Sequence, residues 1–260
     1  MSKALEQTTA CLPPAEGVQS LQWTNELVQK FWDFQSRSTE AYFTSQFGSQ
    51  IANAIQDFIP KKARVLDYAC GTGALTGHLL HAGLSVAACD LSYESVEIVQ
   101  NKFQKQPEFL GAFSIAELAL KDLQFDAVVL VEVVEHIDDQ VLKRIFDDVR
   151  RVLLPGGIVV VTTPNNEDLT IDTVYCPSCD HTFHRWQHVR SWSAQTLSVL
   201  FSSLGFQTIT TQCTDFSLSP QHGLIRYWIR QLIRRIFKWH SPHLVGVARL
   251  LSSDKNSNFG

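Results

Sequence analysis

The chain lacks any run of about 18 uninterrupted apolar residues, the least that a hydropathic membrane span requires. Its opening, MSKALEQTTACLPPAEG, has no continuous apolar stretch, so a secretory signal is not expected. Neither sign of charge prevails: 22 Lys and Arg stand against 26 Asp and Glu, with a pI near 6.1. That balance exerts no global pull toward nucleic acid. Cysteine is sparse as well. Six in 260 residues make no disulfide scaffold, and Cys70 and Cys89 fall at predicted strand ends. This reads as reduced thiols in a cytoplasmic setting. What the chain does have is 45% hydrophobic content, enough for one substantial core with appendages.

Residues 1–20 are polar, carry Pro13-Pro14, and are expected to be flexible. Over 21–60 apolar residues recur at helical spacing: Trp23, Leu27, Phe31 and Phe34, then Ile51, Ile55 and Phe58. The surplus aromatics Trp32, Tyr42, Phe43 and Phe47 fit either helices packed on a sheet edge or a lid over a ligand. Beyond Pro60, short apolar strands alternate with helices, ending in a sixth strand over Phe206–Gln212. Phe125–Val131 is continuously apolar, as a central parallel strand covered on both faces must be. Alternation of this kind predicts an α/β fold with a parallel sheet and right-handed crossovers. Residues 221–241 form a predicted basic amphipathic helix, 242–250 a last strand, and 251–260 a flexible tail.

In an open α/β sheet, ligands bind beyond the C-terminal strand ends where the strand order reverses. Strand one ends in Cys70-Gly71-Thr72-Gly73, whose glycines permit a tight turn and close ligand approach. The next helix aims its N-terminal amides at the same point. Asp90, about 20 residues downstream at the end of strand two, can accept hydrogen bonds from both ribose hydroxyls. A nicotinamide dehydrogenase shares these features.

Longer motifs discriminate. Val65-Leu66-Asp67-Tyr68-Ala69-Cys70-Gly71-Thr72-Gly73 resembles the first motif of class I S-adenosylmethionine-dependent methyltransferases. Leu153-Leu154-Pro155-Gly156-Gly157 resembles the turn before their fifth strand. Phe125–Val129 and Val133-Val134-Glu135-His136-Ile137 match their fourth strand and the loop after it. The resemblance spans about 64–206 and departs at Ala69, where the family usually has glycine. It implies a doubly wound, mostly parallel seven-stranded sheet, with N-terminal lid helices and the basic helix inserted before the last strand. Residues 61–220 would form the S-adenosylmethionine-binding core, with an acceptor-side insertion at 164–192. Asp67, Ala69, Gly71 and Gly73 would surround the methionine portion, Asp90 and Leu91 the ribose side, Ala116 and Glu117 the adenine, and Glu132 the sulfonium.

Glu132-Val133-Val134-Glu135-His136 places two carboxylates and an imidazole beside that pocket. Such a set suits Mg²⁺, Mn²⁺ or Zn²⁺, which could lower the pKa of an acceptor hydroxyl. The alternative is a hydrogen-bonded loop with His136 as a metal-free general base. The same pattern occurs in ubiquinone-pathway O-methyltransferases and small-RNA 2′-O-methyltransferases. His188-Val189-Arg190-Ser191-Trp192-Ser193 resembles a segment that faces the acceptor in related enzymes. His188 would then complete the metal set or act as base. A second candidate centre is Cys176, Cys179, His181 and His184 or His188, whose spacing suits tetrahedral zinc. A redox pair is the weaker alternative there, since thioredoxin-like surroundings are missing.

Arg226, Arg230, Arg234 and Lys238 share one face of the predicted helix over 224–239, which carries no acid. It either packs on its own domain or contacts a membrane peripherally. The expected activity is methyl transfer from S-adenosylmethionine to a hydroxyl of a small-molecule or lipid-like acceptor. RNA 2′-O-methylation lacks a basic patch near the site. A non-catalytic S-adenosylmethionine-binding protein is the third alternative.

Overall fold

A computed structural model describes residues 19–37, 40, 42–217 and 241–251. The predicted basic helix over 224–239 and both outermost segments lie outside these. Among the described residues no helix is long and apolar enough to cross a membrane.

The chain begins with β1 (Gln19–Ser20), α1 (Asn25–Gln35) and α2 (Phe43–Ile55). There follow β2 (Arg64–Tyr68), α3 (Ala74–His81), β3 (Ser85–Asp90), α4 (Tyr93–Phe103), β4 (Phe109–Ser114) and α5 (Ile115–Ala119). The second half runs β5 (Phe125–Val131), α6 (Asp139–Val152), β6 (Leu153–Pro164), β7 (Thr173–Cys176), β8 (His181–His184), α7 (Ala194–Ser203), β9 (Phe206–Thr214) and β10 (His243–Leu250). Seven strands form one sheet in the order β4-β3-β2-β5-β6-β10-β9, and only β10 runs antiparallel to its neighbours. The expected doubly wound sheet is present.

Alternation along each central strand builds two cores. Leu66, Tyr68, Val128 and Leu130 face α6 and α7, while Val65, Ala127 and Val129 face α2, α3 and α4. On α6, Leu142, Ile145, Phe146, Val149 and Val152 make the apolar stripe, with acids and arginines between them. Phe146 meets Phe206 edge-on at 5.8 Å. Side chains close the helix starts as the sequence requires: Ser92 accepts from Ser95 N, and Ser193 and Thr196 form a reciprocal capping box.

Two details differ from expectation. The Leu153–Gly157 turn is continuous with β6: Leu153 pairs with Phe125, and 154–157 then loop out before Ile158 pairs with Ala127. Gly156 takes φ +76° within it. Within 164–192, β7 and β8 form a hairpin, and Gln19–Ser20, expected to be flexible, add to β8 as a third, parallel strand.

Candidate active site at the switch point

Strand order reverses between β2 and β5, so the loops after β2, β3, β5 and β6 open onto one edge of the sheet. After β2 the chain takes left-handed backbone at Ala69 (φ +60°), Gly71 (φ +52°) and Gly73 (φ +76°). A Cβ on Gly73 would come within 2.8 Å of Val99, so the turn packs on α4 only because glycine stands there. Ala69 accepts the same backbone region with a side chain. The turn is held by Gly73 N donating to Cys70 O and by Cys70 N donating to Cys89 O, both at 3.0 Å.

Asp90 closes the turn from the neighbouring strand. Its Oδ2 accepts from Gly71 N at 2.8 Å and its Oδ1 from Ser92 N at 2.9 Å. Burial raises its pKa, and these amides oppose the rise. Asp67 is 2% exposed and accepts from Thr76 Oγ1 at 2.6 Å; burial pushes its carboxyl up to about 7. Leu91 is exposed beside Asp90. Ala116 and Glu117 lie exposed in the first turn of α5, where Glu117 accepts from Ser114 N and Oγ in a capping box. The Tyr42 ring leans on the glycine turn, 3.4 Å from where a Gly71 Cβ would be. Burial, then Asp90, pushes its phenol up to about 12.

Glu132 and Glu135 enter from the loop after β5. Glu132 has φ +54°, and its Oε1 accepts from Thr162 Oγ1 at 2.9 Å. Glu135 is 1% exposed and accepts from Thr163 Oγ1 at 3.0 Å, while its Oε1 has no hydrogen-bond partner among the described residues. Burial pushes Glu132 up to about 8 and Glu135 well above the carboxylate range, with the Glu132 charge adding to the latter. Burial, then His188, drives His136 down to about 3. His136 Nε2 lies 3.7 Å from Glu135 Oε1. That is too long for a hydrogen bond and slightly wider than the spacing of roughly 3 Å between adjacent ligand atoms around an ion with bonds near 2.1 Å.

Ligand atoms of Glu135, His136 and His188 lie within 4.8 Å of one another, so these residues fit a divalent cation. The rings of His136 and His188 cross at 66° with centroids 4.7 Å apart. Glu132, expected in the set, is not among these three and accepts from Thr162 instead. The second set expected from spacing is not assembled. Hairpin register places Cys176 opposite His181 but Thr173 opposite His184, which carries His184 away from the cysteines at the turn. Cys176 and Cys179 are free thiols, and no group of three close ligand atoms includes them among the described residues.

His184 turns instead to Glu167, in the loop after β6, together with His188. Glu167 and Gln187 were missed as site residues, whereas Trp32 and Tyr42 belong to the aromatics read as either packing or a lid. For Glu167 a signal existed, because an acid just beyond a parallel strand's C-terminus lies on the ligand edge. Gln187 is 0% exposed; its Oε1 accepts from Trp32 Nε1 at 3.0 Å and its Nε2 donates to His136 O at 2.8 Å. Trp32 stands edge-on to His136 at 4.9 Å, so α1 covers the histidines.

A family model described as a methyltransferase domain matches residues 42–211. The putative methyltransferase YqeM of Bacillus subtilis (strain 168) is 35% identical over 111 residues, 41% of this chain and 44% of its own length. The mitochondrial ubiquinone biosynthesis O-methyltransferase of Rattus norvegicus is 33% identical over 113 residues, 41% of this chain and 32% of its own length. The chain therefore spans less than half of either relative. A solved 1,6-didemethyltoxoflavin-N1-methyltransferase of Burkholderia thailandensis, with bound 1,6-didemethyltoxoflavin and S-adenosylhomocysteine, is similar at TM-score 0.55 and 16% identity, over 87% of this chain and 86% of that one. The DhpI–SAH complex is similar at TM-score 0.58 and 19% identity, over 88% and 100%. At such identities the likeness is one of fold. With the glycine turn, its closing acid and the matched family model in agreement, the chain belongs to the class I S-adenosylmethionine-dependent methyltransferases.

Proposed function

We propose that the chain transfers the methyl group of S-adenosylmethionine to a hydroxyl of a small-molecule or lipid-like acceptor. The supporting observation is the cluster of Glu135, His136 and His188 beside the glycine turn, because a hydroxyl, unlike an amine, must lose its proton to attack. The sulfonium supplies the reactivity. The left-handed turn at Gly71 and Gly73 would present its backbone to the methionine portion, and Asp90 would accept from the ribose hydroxyls.

His188 is the residue suited to take the acceptor proton, while His136, held neutral, is suited to donate a lone pair. In the alternative arrangement Glu135, His136 and His188 would hold a divalent ion such as Mg²⁺ or Zn²⁺, which when bound supplies Lewis acidity toward the acceptor oxygen, with His188 then a ligand and not the base. Trp32 on α1 walls the cluster from solvent. The ubiquinone-pathway relative is named as an O-methyltransferase, which supports oxygen as the target.

Calorimetry with S-adenosylmethionine, followed by an acceptor screen read by mass, tests the reading. His188→Ala is expected to lower turnover by about 10²-fold or more while S-adenosylmethionine binding is kept. Turnover unchanged in that variant, or no binding of S-adenosylmethionine by the wild type, overturns the proposal.

A further inference from the structure

His188 is held on several sides. Its Nδ1 lies 2.6 Å from Glu167 Oε2, a hydrogen-bond distance. Its ring stacks on His184, with centroids 4.4 Å apart and planes 21° apart. Its backbone N donates to His184 Nδ1 at 3.3 Å, and the next residue donates from Val189 N to Glu135 O at 2.9 Å. The His188 side chain is 10% exposed and that of His184 only 3%.

These contacts fix protonation as well as position. His184 Nδ1 accepts a hydrogen bond, so in the neutral ring its proton sits on Nε2. That Nε2 is buried without a hydrogen-bond partner among the described residues and faces Glu167 Oε1 at 3.7 Å. Glu167 thus presents one carboxylate oxygen toward each histidine. An acceptor-only carboxylate at His188 Nδ1 requires a proton there, which leaves Nε2 as a bare lone pair.

Glu167, His184 and His188 also have ligand atoms within 4.8 Å of one another. They do not make a second ion site. Two rings 4.4 Å apart and nearly parallel share no in-plane point within a metal–nitrogen bond of about 2.1 Å. The trio orients; it does not ligate.

We propose that Glu167 is a positioning residue: its carboxylate holds His188 as the Nδ1–H tautomer, so that Nε2 faces Glu135 and His136 as an acceptor or ligand. The inference deepens the functional reading above, since a free Nε2 is what either a base or a metal ligand needs.

The test uses the full chain labelled with ¹⁵N. Long-range ¹H–¹⁵N spectra of the metal-free protein read the tautomer of each histidine, with His188 assigned by its loss in His188→Ala. Wild type is expected to show His188 protonated at Nδ1. Glu167→Leu is expected to lose that signature and to bind Mn²⁺ about 10–100-fold more weakly by calorimetry, and Glu167→Asp to restore part of both. The melting temperature of each variant controls for unfolding. A wild-type His188 protonated at Nε2, or a folded Glu167→Leu with unchanged tautomer, overturns the inference. A wild type that keeps the Nδ1–H tautomer but binds no Mn²⁺ supports the inference and removes the metal from the functional reading.

Discussion

Gln187 connects three elements that share no sequence proximity, and Gln187→Ala tests whether that connection matters. Truncation strands the Trp32 indole N–H and the His136 carbonyl. An unsatisfied buried group costs about 1–3 kcal/mol. Trp32 is half-buried, so water can reach part of it and its share falls at the low end. The carbonyl is expected to cost more, giving roughly 2–4 kcal/mol in all. For a domain of 150–250 residues each kcal/mol moves Tm by about 2–4 °C, so the variant should melt roughly 5–15 °C lower. Thermal unfolding followed by circular dichroism measures this, and a cycle with Trp32→Phe isolates the pair. The double variant should cost less than the sum of the singles, with a coupling of about 0.5–3 kcal/mol. Binding of S-adenosylmethionine should persist, because neither residue touches Gly71 or Asp90 directly. A drop under about 2 °C, or strict additivity, refutes the reasoning.

Two further outcomes are expected. Ala69→Gly removes a left-handed alanine worth about 1–2 kcal/mol of strain and adds about 0.4–1 kcal/mol of unfolded-chain entropy, so chemical denaturation should show stability equal to wild type or up to about 1 kcal/mol higher; a loss beyond 1 kcal/mol contradicts it. Asp67, raised from 3.8 to about 7, keeps its proton in the folded state where the unfolded chain has lost it. Folded stability should therefore decline as pH rises from about 4 to 7, and Asp67→Asn should flatten that decline in urea titrations. Parallel profiles for the two proteins would show that Asp67 is not the cause.

The sheet was legible because its signals are local. Apolar runs such as Phe125–Val131 need burial on two faces, and glycines at 71 and 73 need a turn. Asp90 was legible from its distance to that turn, and the structure has it accepting from Gly71 N. Cross-chain contacts were not. Gln187 is an isolated amide whose importance depends on Trp32, 155 positions earlier. The place of Glu167 just past a strand end hints at the ligand edge, but its reach to two histidines depends on the hairpin fold. Spacing alone joined His184 to Cys176 and Cys179, whereas antiparallel pairing separates them. Strands of two and four residues carry too little pattern to be read, so β1, β7 and β8 went unseen.

The pairing of Gln19–Ser20 with His181–Thr182 makes α1 a span anchored at both ends. One anchor is main-chain hydrogen bonding to β8; the other is the indole of Trp32 on Gln187, three residues past that strand's end. Helix and hairpin are thereby tied into one unit beside His136, joined by main-chain and side-chain bonds. Cutting the chain just ahead of Trp23 would remove the main-chain anchor and leave the helix held by the Trp23 ring on Phe183 and the Trp32 indole on Gln187.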